Sequence, residues 1–206
     1  MNFDDYAQTW DTEKRIDRAK VIAKEISDSI GIDRAYSAME FGCGTGLVSF
    51  NLCDRFENIT LIDSSKGMID ILNSKIEKYE VNNMNASQKD LLKGDSLNMT
   101  FDVIYSSMVL HHIPDTLAII KKFYELLNTD GYLCIVDLDE EDGSFHKDFS
   151  DFDGHNGFNQ EELKSLLSGA GFNDIESSVF YYDEKMIEDE KVKYSLFLMK
   201  ARKYPN

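Results

Sequence analysis

The stretch Glu40-Phe-Gly-Cys-Gly-Thr-Gly46 decides how this chain folds. It overlaps the end of a short, mostly apolar run at residues 36–41, and apolar residues at loosely helical spacing follow it at 47–52. Glycines let the backbone turn tightly and approach a ligand that a Cβ atom would exclude. The stretch therefore predicts a strand, a glycine turn and a helix, with a nucleotide-like ligand on the turn. A tight connection without a ligand is the alternative.

A second acidic residue marks the end of the next predicted strand. Asp63 follows the apolar run 59–62 and lies 21 positions after Gly42 (63 − 42). A carboxylate there can accept two hydrogen bonds from ribose hydroxyls, although a helix-cap role is the alternative for Asp63 alone. Glu40 precedes the first glycine by two positions and suits a cation better than the pyrophosphate of a dinucleotide, whose motif is G-x-G-x-x-G. The pattern favours a nucleoside that carries a positive charge.

The strand-and-helix unit recurs along the chain, and this alternation predicts a parallel sheet. The last two strands are joined by a segment too short for a helical crossover, so an antiparallel hairpin is expected at the sheet edge. Further strands are predicted at 59–62, 84–88, 101–106, 132–136, 175–182 and 192–200, and helices at 11–30, at 68–79, after Pro114 and after Asn159.

These residues resemble the class I S-adenosylmethionine-dependent methyltransferases, of the small-molecule type with methyltransferase domain 11 or 25. The first motif of that family is E/D-x-G-x-G-x-G, and its second strand ends in an acidic ribose ligand. Further matches lie at 90–91, 101–113, 127–133, 157–158 and 170–172, so the resemblance covers nearly the whole chain. It implies a Rossmann-like three-layer α/β/α sandwich with a seven-stranded, mostly parallel sheet of order 3-2-1-4-5-7-6, in which strand 7 is antiparallel.

The resemblance implies S-adenosyl-L-methionine as cofactor and S-adenosyl-L-homocysteine as product. The glycines would contact the methionine portion, Asp63 the ribose, Met68 the adenine face, Asp90 and Leu91 the adenine edge, and two serines the sulfonium end. An N-terminal segment with Trp10 resembles a lid over the cofactor; packing on the sheet edge is the alternative for its aromatics. The expected cofactor-binding residues are Trp10, Glu40, Gly42, Gly44, Gly46, Asp63, Ser64, Met68, Asp90, Leu91, Ser106 and Ser107.

Three histidines are the candidate catalytic residues. His111 and His112 follow the fourth predicted strand, where either imidazole could accept a proton from an attacking hydroxyl or amine near pH 7. His155 lies in a Gly-His-Asn-Gly-Phe stretch at 154–158 that resembles a substrate-side segment of the family. Structural or solvent-facing roles are the alternative for His111 and His112, and hydrogen bonding within the loop is the alternative for His155.

Composition excludes several classes of partner and site. With 38 acidic against 22 basic residues, the formal net charge of −16 repels nucleic acid and anionic membranes. Three cysteines without metal-ligand spacing predict a reducing cytoplasm, no disulfide and no metal site. The acidic residues at 137–153 are interpreted as a solvated surface, with attraction of a cationic substrate or a divalent metal as the alternative. No secretory leader or membrane span is expected.

The chain is therefore expected to be one methyltransferase domain over residues 1–206. Residues 1–31 would form the lid and first helix, 36–137 the cofactor-binding core, and 138–206 the substrate-side loop, helix and terminal hairpin. The expected reaction is in-line displacement of a methyl group onto a small-molecule acceptor, without a prediction of oligomeric state. An NAD-dependent oxidoreductase and a non-catalytic cofactor-binding module remain the alternatives.

Overall fold

Seven strands form one sheet in the computed structural model, which describes residues 3–148, 152–187 and 189–205. The first five strands pair in parallel, and the last strand is antiparallel to both of its neighbours. The bounds are β1 Ser37–Phe41, β2 Asn58–Asp63, β3 Met84–Gln88, β4 Phe101–Ser107, β5 Leu127–Leu138, β6 Asn173–Ile187 and β7 Glu190–Arg202. Their order, β3-β2-β1-β4-β5-β7-β6, confirms the predicted topology.

Helices begin where a side-chain oxygen accepts a hydrogen bond from the free backbone N–H groups of the first turn. Thr12, Ser65, Asp115 and Asn159 provide these caps for the four longer helices. The bounds are α1 Phe3–Tyr6, α2 Glu13–Ser29, α3 Lys66–Lys78, α4 Thr116–Leu126 and α5 Gln160–Gly169. No helix in the described part of the chain is long and apolar enough to cross a bilayer.

The sheet is covered by helices on both faces, as the three-layer prediction requires. Successive side chains of a strand point to opposite faces, so Tyr105 packs with α2 and α3 whereas its neighbour Ile104 packs with α4 and α5. Both side chains are fully buried. β1 ends at Phe41, where the glycine turn begins, and β4 ends beside it, because Ser106 pairs with Phe41.

The prediction of a helix directly after Gly46 is wrong. Between β1 and β2 the structure has only a 3₁₀ turn, at Ser49–Asn51. Residues 47–57 must return the chain along the five residues of β1, a distance of roughly 16 Å at 3.3 Å per residue. An α-helix rising 1.5 Å per residue would need all eleven residues of that connection and would leave none for the turns at its ends. A looser path with one 3₁₀ turn covers the distance.

Candidate active site

The glycine turn lies at the carboxyl end of β1, between β2 on one side and β4 on the other. Strand order reverses here, and ligands of open α/β sheets bind in the crevice at such a point. Gly42, Gly44 and Gly46 all have left-handed backbones, with φ of +69°, +51° and +78°. A Cβ atom on Gly42 would lie 2.4 Å from a methyl of Val109, whereas one on Gly44 would meet only Trp10 Nε1, at 3.7 Å. Gly44 thus presents open backbone to a ligand.

Asp63 joins the end of β2 to the glycine turn. Its Oδ2 accepts a hydrogen bond from Gly44 N, and its Oδ1 accepts one from Ser65 N, both at 2.8 Å. Burial raises the pKa of this carboxyl group above its usual value. Ser65, rather than Asp63, accepts from the first turn of α3 as its cap. The two strand ends therefore form one cradle, defined here as Glu40, the turn 42–46 and Asp63.

Glu40 is buried beneath the cradle beside other hydroxyl groups. Its carboxyl accepts a hydrogen bond from Ser49 Oγ, which is itself hydrogen-bonded to Tyr105. Burial, followed by the negative charge of Asp63, raises the pKa of Glu40 to about 8, although the Ser49 bond acts in the opposite direction. Glu40 is therefore largely protonated at neutral pH, and a cation placed at the cradle would favour its ionisation.

The N-terminal segment, residues 3–12, covers the cradle. Asp4 accepts hydrogen bonds from Ser65 Oγ at 2.6 Å and from Gly67 N at 2.7 Å, where α3 begins. Asp11 accepts one from Thr45 Oγ1 in the glycine turn and pairs with Lys75 Nζ at 2.8 Å. The sequence analysis did not identify these two acidic residues, because only their partners distinguish them from surface charges.

Three imidazoles meet beyond the end of β4. His111 and His112 lie in the 3₁₀ turn Leu110–His112, and His146 approaches from the turn Ser144–His146. Ring centroids are 4.1 Å apart for His111 and His112, 5.1 Å for His111 and His146, and 5.4 Å for His112 and His146. We call these three residues the histidine cluster. The sequence analysis had identified two of them and missed His146.

Burial and crowding keep two members of the histidine cluster neutral at pH 7. Desolvation, followed by repulsion from His111, lowers the pKa of His112 to about 3 and that of His146 to about 4. Asp137, at the end of β5, accepts hydrogen bonds from the ring and the backbone N–H of His111. Burial alone would raise the pKa of Asp137, but the interactions with His111 outweigh it and lower that pKa.

Aromatic contacts connect the histidine cluster with the cradle. Phe3 packs edge-on against both Trp10 and His112, with centroid distances of 5.9 and 5.2 Å. Trp10 in turn lies beside the open face of Gly44. The N-terminal segment therefore spans from the cradle to the cluster, so both border one region at the carboxyl edge of the sheet.

The other candidate site residues differ in burial and in hydrogen bonding. Met68 and Leu91 are buried, Ser107 is half-buried and Ser64 is exposed. Ser106 is fully buried and donates to Phe41 O at 3.0 Å. Asp90 is half-buried and accepts hydrogen bonds from the backbone of its own loop, at Leu92 N and Lys93 N.

His155 lies away from the histidine cluster. Its Nε2 is 3.0 Å from both Thr116 Oγ1 and Ile113 O, and its backbone N–H donates to His111 O at 2.7 Å. These contacts attach the 152–158 loop to the turn that carries His111. The ring nitrogen of His155 is therefore engaged by two protein atoms at the start of α4.

An acidic cavity of about 430 Å³ opens between β5 and the terminal hairpin. It lies where residues after β5 face the start of β7, and its acidic lining comes from two segments of the chain. The lining residues are Asp139, Glu140, Glu141, Tyr182, Asp183, Glu184, Lys193, Tyr194 and Ser195. Part of the acidic stretch at 137–153 thus borders a cavity rather than open solvent alone.

A glycine turn with an acidic residue at each of two strand ends, on a sheet of order 3-2-1-4-5-7-6, defines the class I S-adenosylmethionine-dependent methyltransferase fold. The methyltransferase-domain family model matches residues 13–177. The chain belongs to this family. The prediction made from the glycine turn is thereby confirmed at the level of fold and family.

Several known proteins are similar to the chain in sequence. It is 29% identical over 154 residues to an uncharacterized methyltransferase of Schizosaccharomyces pombe, covering 68% of the chain and 54% of the relative. It is 27% identical over 163 residues to phosphoethanolamine N-methyltransferase 3 of Arabidopsis thaliana, covering 74% and 32%. The match thus spans about half the length of the first relative and about a third of the length of the second.

A solved structure shows the same fold. The phosphoethanolamine N-methyltransferase 2 of Haemonchus contortus, in complex with phosphomonomethylethanolamine and S-adenosylhomocysteine, superposes with a TM-score of 0.73 at 15% identity. The match covers 92% of the chain and 53% of that protein. The likeness at this identity concerns the fold.

Proposed function

We propose that the chain transfers a methyl group from S-adenosyl-L-methionine to a small-molecule acceptor. The observation that carries this proposal is the open backbone of Gly44 between Asp63 and the buried Glu40. This arrangement fits a nucleoside with a positive charge, since one carboxyl group lies at the rim and another lies beneath the turn. When bound, the cofactor supplies an electrophilic methyl group on a cationic sulfur.

Different residues of the cradle bind different parts of the cofactor. Gly44 and its neighbouring glycines admit the methionine portion, Glu40 offers a carboxylate to its cationic group, and Asp63 offers acceptors to ribose hydroxyls. Met68, Leu91 and Asp90 border the adenine side, together with Ser64 at the start of α3. The lid residue Trp10 closes over Gly44, and Ser106 with Ser107 lies at the end of β4, by the reacting group.

The acceptor is proposed to bind on the side of the histidine cluster. His111 and His112 carry ring nitrogens that can interact with a hydroxyl, amine or thiol of the acceptor, and Phe3 packs edge-on against His112. In-line displacement needs alignment and exclusion of water more than a covalent intermediate. His155 then acts as a positioning residue, because it fixes the loop next to His111.

A small acceptor is favoured by charge and by similarity. A net charge of −16 repels phosphate backbones. Relatives include enzymes whose names specify phosphoethanolamine, malonyl-acyl-carrier protein and trans-aconitate as methyl acceptors.

Calorimetric titration tests the cofactor assignment directly. We expect S-adenosylhomocysteine to bind the purified chain with one site and to raise its melting temperature, because a ligand that binds only the folded state stabilises it. NAD serves as the control ligand for the oxidoreductase alternative. Binding of NAD without binding of S-adenosylhomocysteine would contradict the proposal.

Methyl transfer is tested with isotopically labelled cofactor and a panel of amine, carboxylate, hydroxyl and thiol acceptors. Label in an acceptor product, dependent on intact Asp63, would support catalysis. Cofactor binding without transfer to any acceptor class of the panel would favour the non-catalytic module over the enzyme.

A further inference from the structure

The histidine cluster brings three nitrogen ligands to one point of the fold. The ligand atoms of His111, His112 and His146 all lie within 4.8 Å of one another. His111 and His146 are buried, and His112 is half-buried. Imidazole nitrogens are preferred ligands of zinc and neighbouring transition metals, and three histidines form a known zinc-binding set.

Asp137 is the hydrogen-bond partner of one ring of the histidine cluster. Its fully buried carboxylate accepts the Nδ1–H of His111, which leaves Nε2 of that ring as the nitrogen with a lone pair. Histidines that bind metals usually donate their other ring N–H to a carboxylate or carbonyl, because this fixes the tautomer and the orientation of the ring. The carboxylate–histidine pair is therefore a feature of metal sites that proximity alone does not produce.

The rings of His112 and His146 also pack against phenylalanine side chains. Phe152 stacks on His146 with a centroid distance of 3.9 Å and an interplanar angle of 8°, and it packs edge-on against His112 at 5.6 Å. Phe3 covers the other side of His112. Such an apolar shell limits access of water, which strengthens the interaction between a cation and its ligands.

We propose that His111, His112 and His146 bind one divalent transition-metal ion of the zinc type, oriented by Asp137. A tetrahedral ion with Zn–N bonds of about 2.0–2.1 Å places its ligand nitrogens roughly 3.3 Å apart. Because the ligand atoms lie within 4.8 Å of one another, they have to approach by at most roughly 1.5 Å to reach this spacing. No metal site was predicted from the sequence, because the third ligand lies in a loop without motif spacing.

Three protein ligands leave a fourth position of the ion for water or another small ligand. If the proposed methyl transfer takes place beside the cluster, this position would hold the heteroatom of the acceptor, and the ion would lower the pKa of a bound hydroxyl or thiol, whose proton would pass to solvent water before the transfer. This second step depends on the proposed function, whereas binding of the metal does not. An occupied cluster would hold the acceptor through the ion instead of accepting its proton.

Metal loading of the whole chain, without cofactor or acceptor, tests the site. Protein stripped with a chelator is titrated with Zn²⁺ by calorimetry and with Co²⁺ by visible absorption. We expect one ion per chain and the visible bands of four-coordinate Co²⁺. X-ray absorption of the zinc form should show nitrogen ligands at about 2.0–2.1 Å with imidazole scattering. A shell of oxygen ligands alone would overturn the proposal without recourse to any variant.

Variants separate binding at the histidine cluster from binding at the acidic surface. His146→Ala should weaken Zn²⁺ binding by more than roughly 100-fold, and Asp137→Asn by roughly 10–100-fold, the usual effect of losing an outer carboxylate partner. Glu140→Gln, which removes an exposed carboxylate of the acidic stretch, is the control and should keep the affinity of the wild type. Equal binding by His146→Ala and wild type, or no binding by wild type, would refute the site, whatever the result of the cofactor titration.

Discussion

Asp63 is the residue whose removal tests the cradle most directly. Asp63→Ala is expected to weaken S-adenosylhomocysteine binding by roughly 1–3 kcal/mol, because the hydrogen bonds to ribose are lost. Calorimetric titration measures the change. Asp70→Ala is the matched control, since it removes an exposed carboxylate from the nearby helix α3 without touching the cradle. An Asp63 variant that binds as tightly as the wild type would show that the ribose lies elsewhere.

Gly44 offers a second test that separates ligand binding from folding. In Gly44→Ala the new methyl group would point into the open space beside Trp10, and the left-handed backbone would cost roughly 1–2 kcal/mol of stability. Affinity for the cofactor should fall strongly while the protein remains folded. Gly42→Ala should show mainly loss of stability, because its Cβ collides with Val109. Titration and urea unfolding of both variants make the comparison.

Individual site residues could be found from sequence where a strand end fixes their place. Asp63 and the glycines were identified because parallel strands bring their carboxyl ends to one edge. His146 lies 34 residues after His112 (146 − 112), and nothing in the sequence between them indicates that the loop returns. Asp4 and Asp11 were missed for the same reason: their roles depend on partners more than 30 positions away.

Helix α5 begins at Asn159, and its cap can be tested alone. Asn159 Oδ1 accepts from Glu161 N at 3.1 Å and from Glu162 N at 3.3 Å. Asn159→Ala should cost about 1 kcal/mol of stability, because the backbone N–H groups at the start of α5 lose their side-chain acceptor. Ser165→Ala, an exposed change within the same helix, serves as the control in urea unfolding. Equal midpoints for the two variants would show that the cap contributes nothing.

Among the elements, periodic strands and capped helices were predictable, and irregular connections were not. β3 was predicted with its observed bounds, and the terminal hairpin was predicted with shorter strands than β6 and β7 have. The Asn-Thr-Asp-Gly sequence at 128–131 is typical of a turn, yet it lies inside β5, where the pairing with β4 is irregular and Asp130 has a φ of +64°. Such irregularities depend on the partner strand, which local sequence does not report.

The stability of the whole molecule is expected to depend on pH through Glu40. The pKa of Glu40 is about 8 in the folded protein and 4.5 for a free glutamate side chain. Between these pH values Glu40 ionises in the unfolded chain but stays protonated in the folded one, which stabilises the unfolded state. The favourable contribution of the protonated group is complete below pH 4.5 and is lost as pH rises towards 8. The free energy of unfolding of Glu40→Gln should therefore rise relative to that of the wild type by up to about 1.4 kcal/mol for each pH unit between 4.5 and 8.

Urea unfolding at several pH values measures this difference, in the absence of cofactor. Both proteins should be equally stable near pH 4.5, and the variant should be more stable by roughly 3 kcal/mol at pH 7. Parallel stability curves over the whole range would contradict an elevated pKa for Glu40. Saturating S-adenosylhomocysteine should reduce the advantage of the variant, because a bound cation favours the ionised carboxylate.

β1 and β4 are neighbours in the sheet but lie far apart in the sequence, so their pairing limits how early the fold can form during synthesis. Ala38 pairs with Val103, 65 residues later (103 − 38), and Val109 packs against Gly42. A nascent chain on the ribosome cannot complete this pairing before β4 has left the exit tunnel. Contacts between distant residues also form slowly. Cofactor in the cell can therefore stabilise only chains whose synthesis has passed β4, and earlier truncated products gain no protection from it.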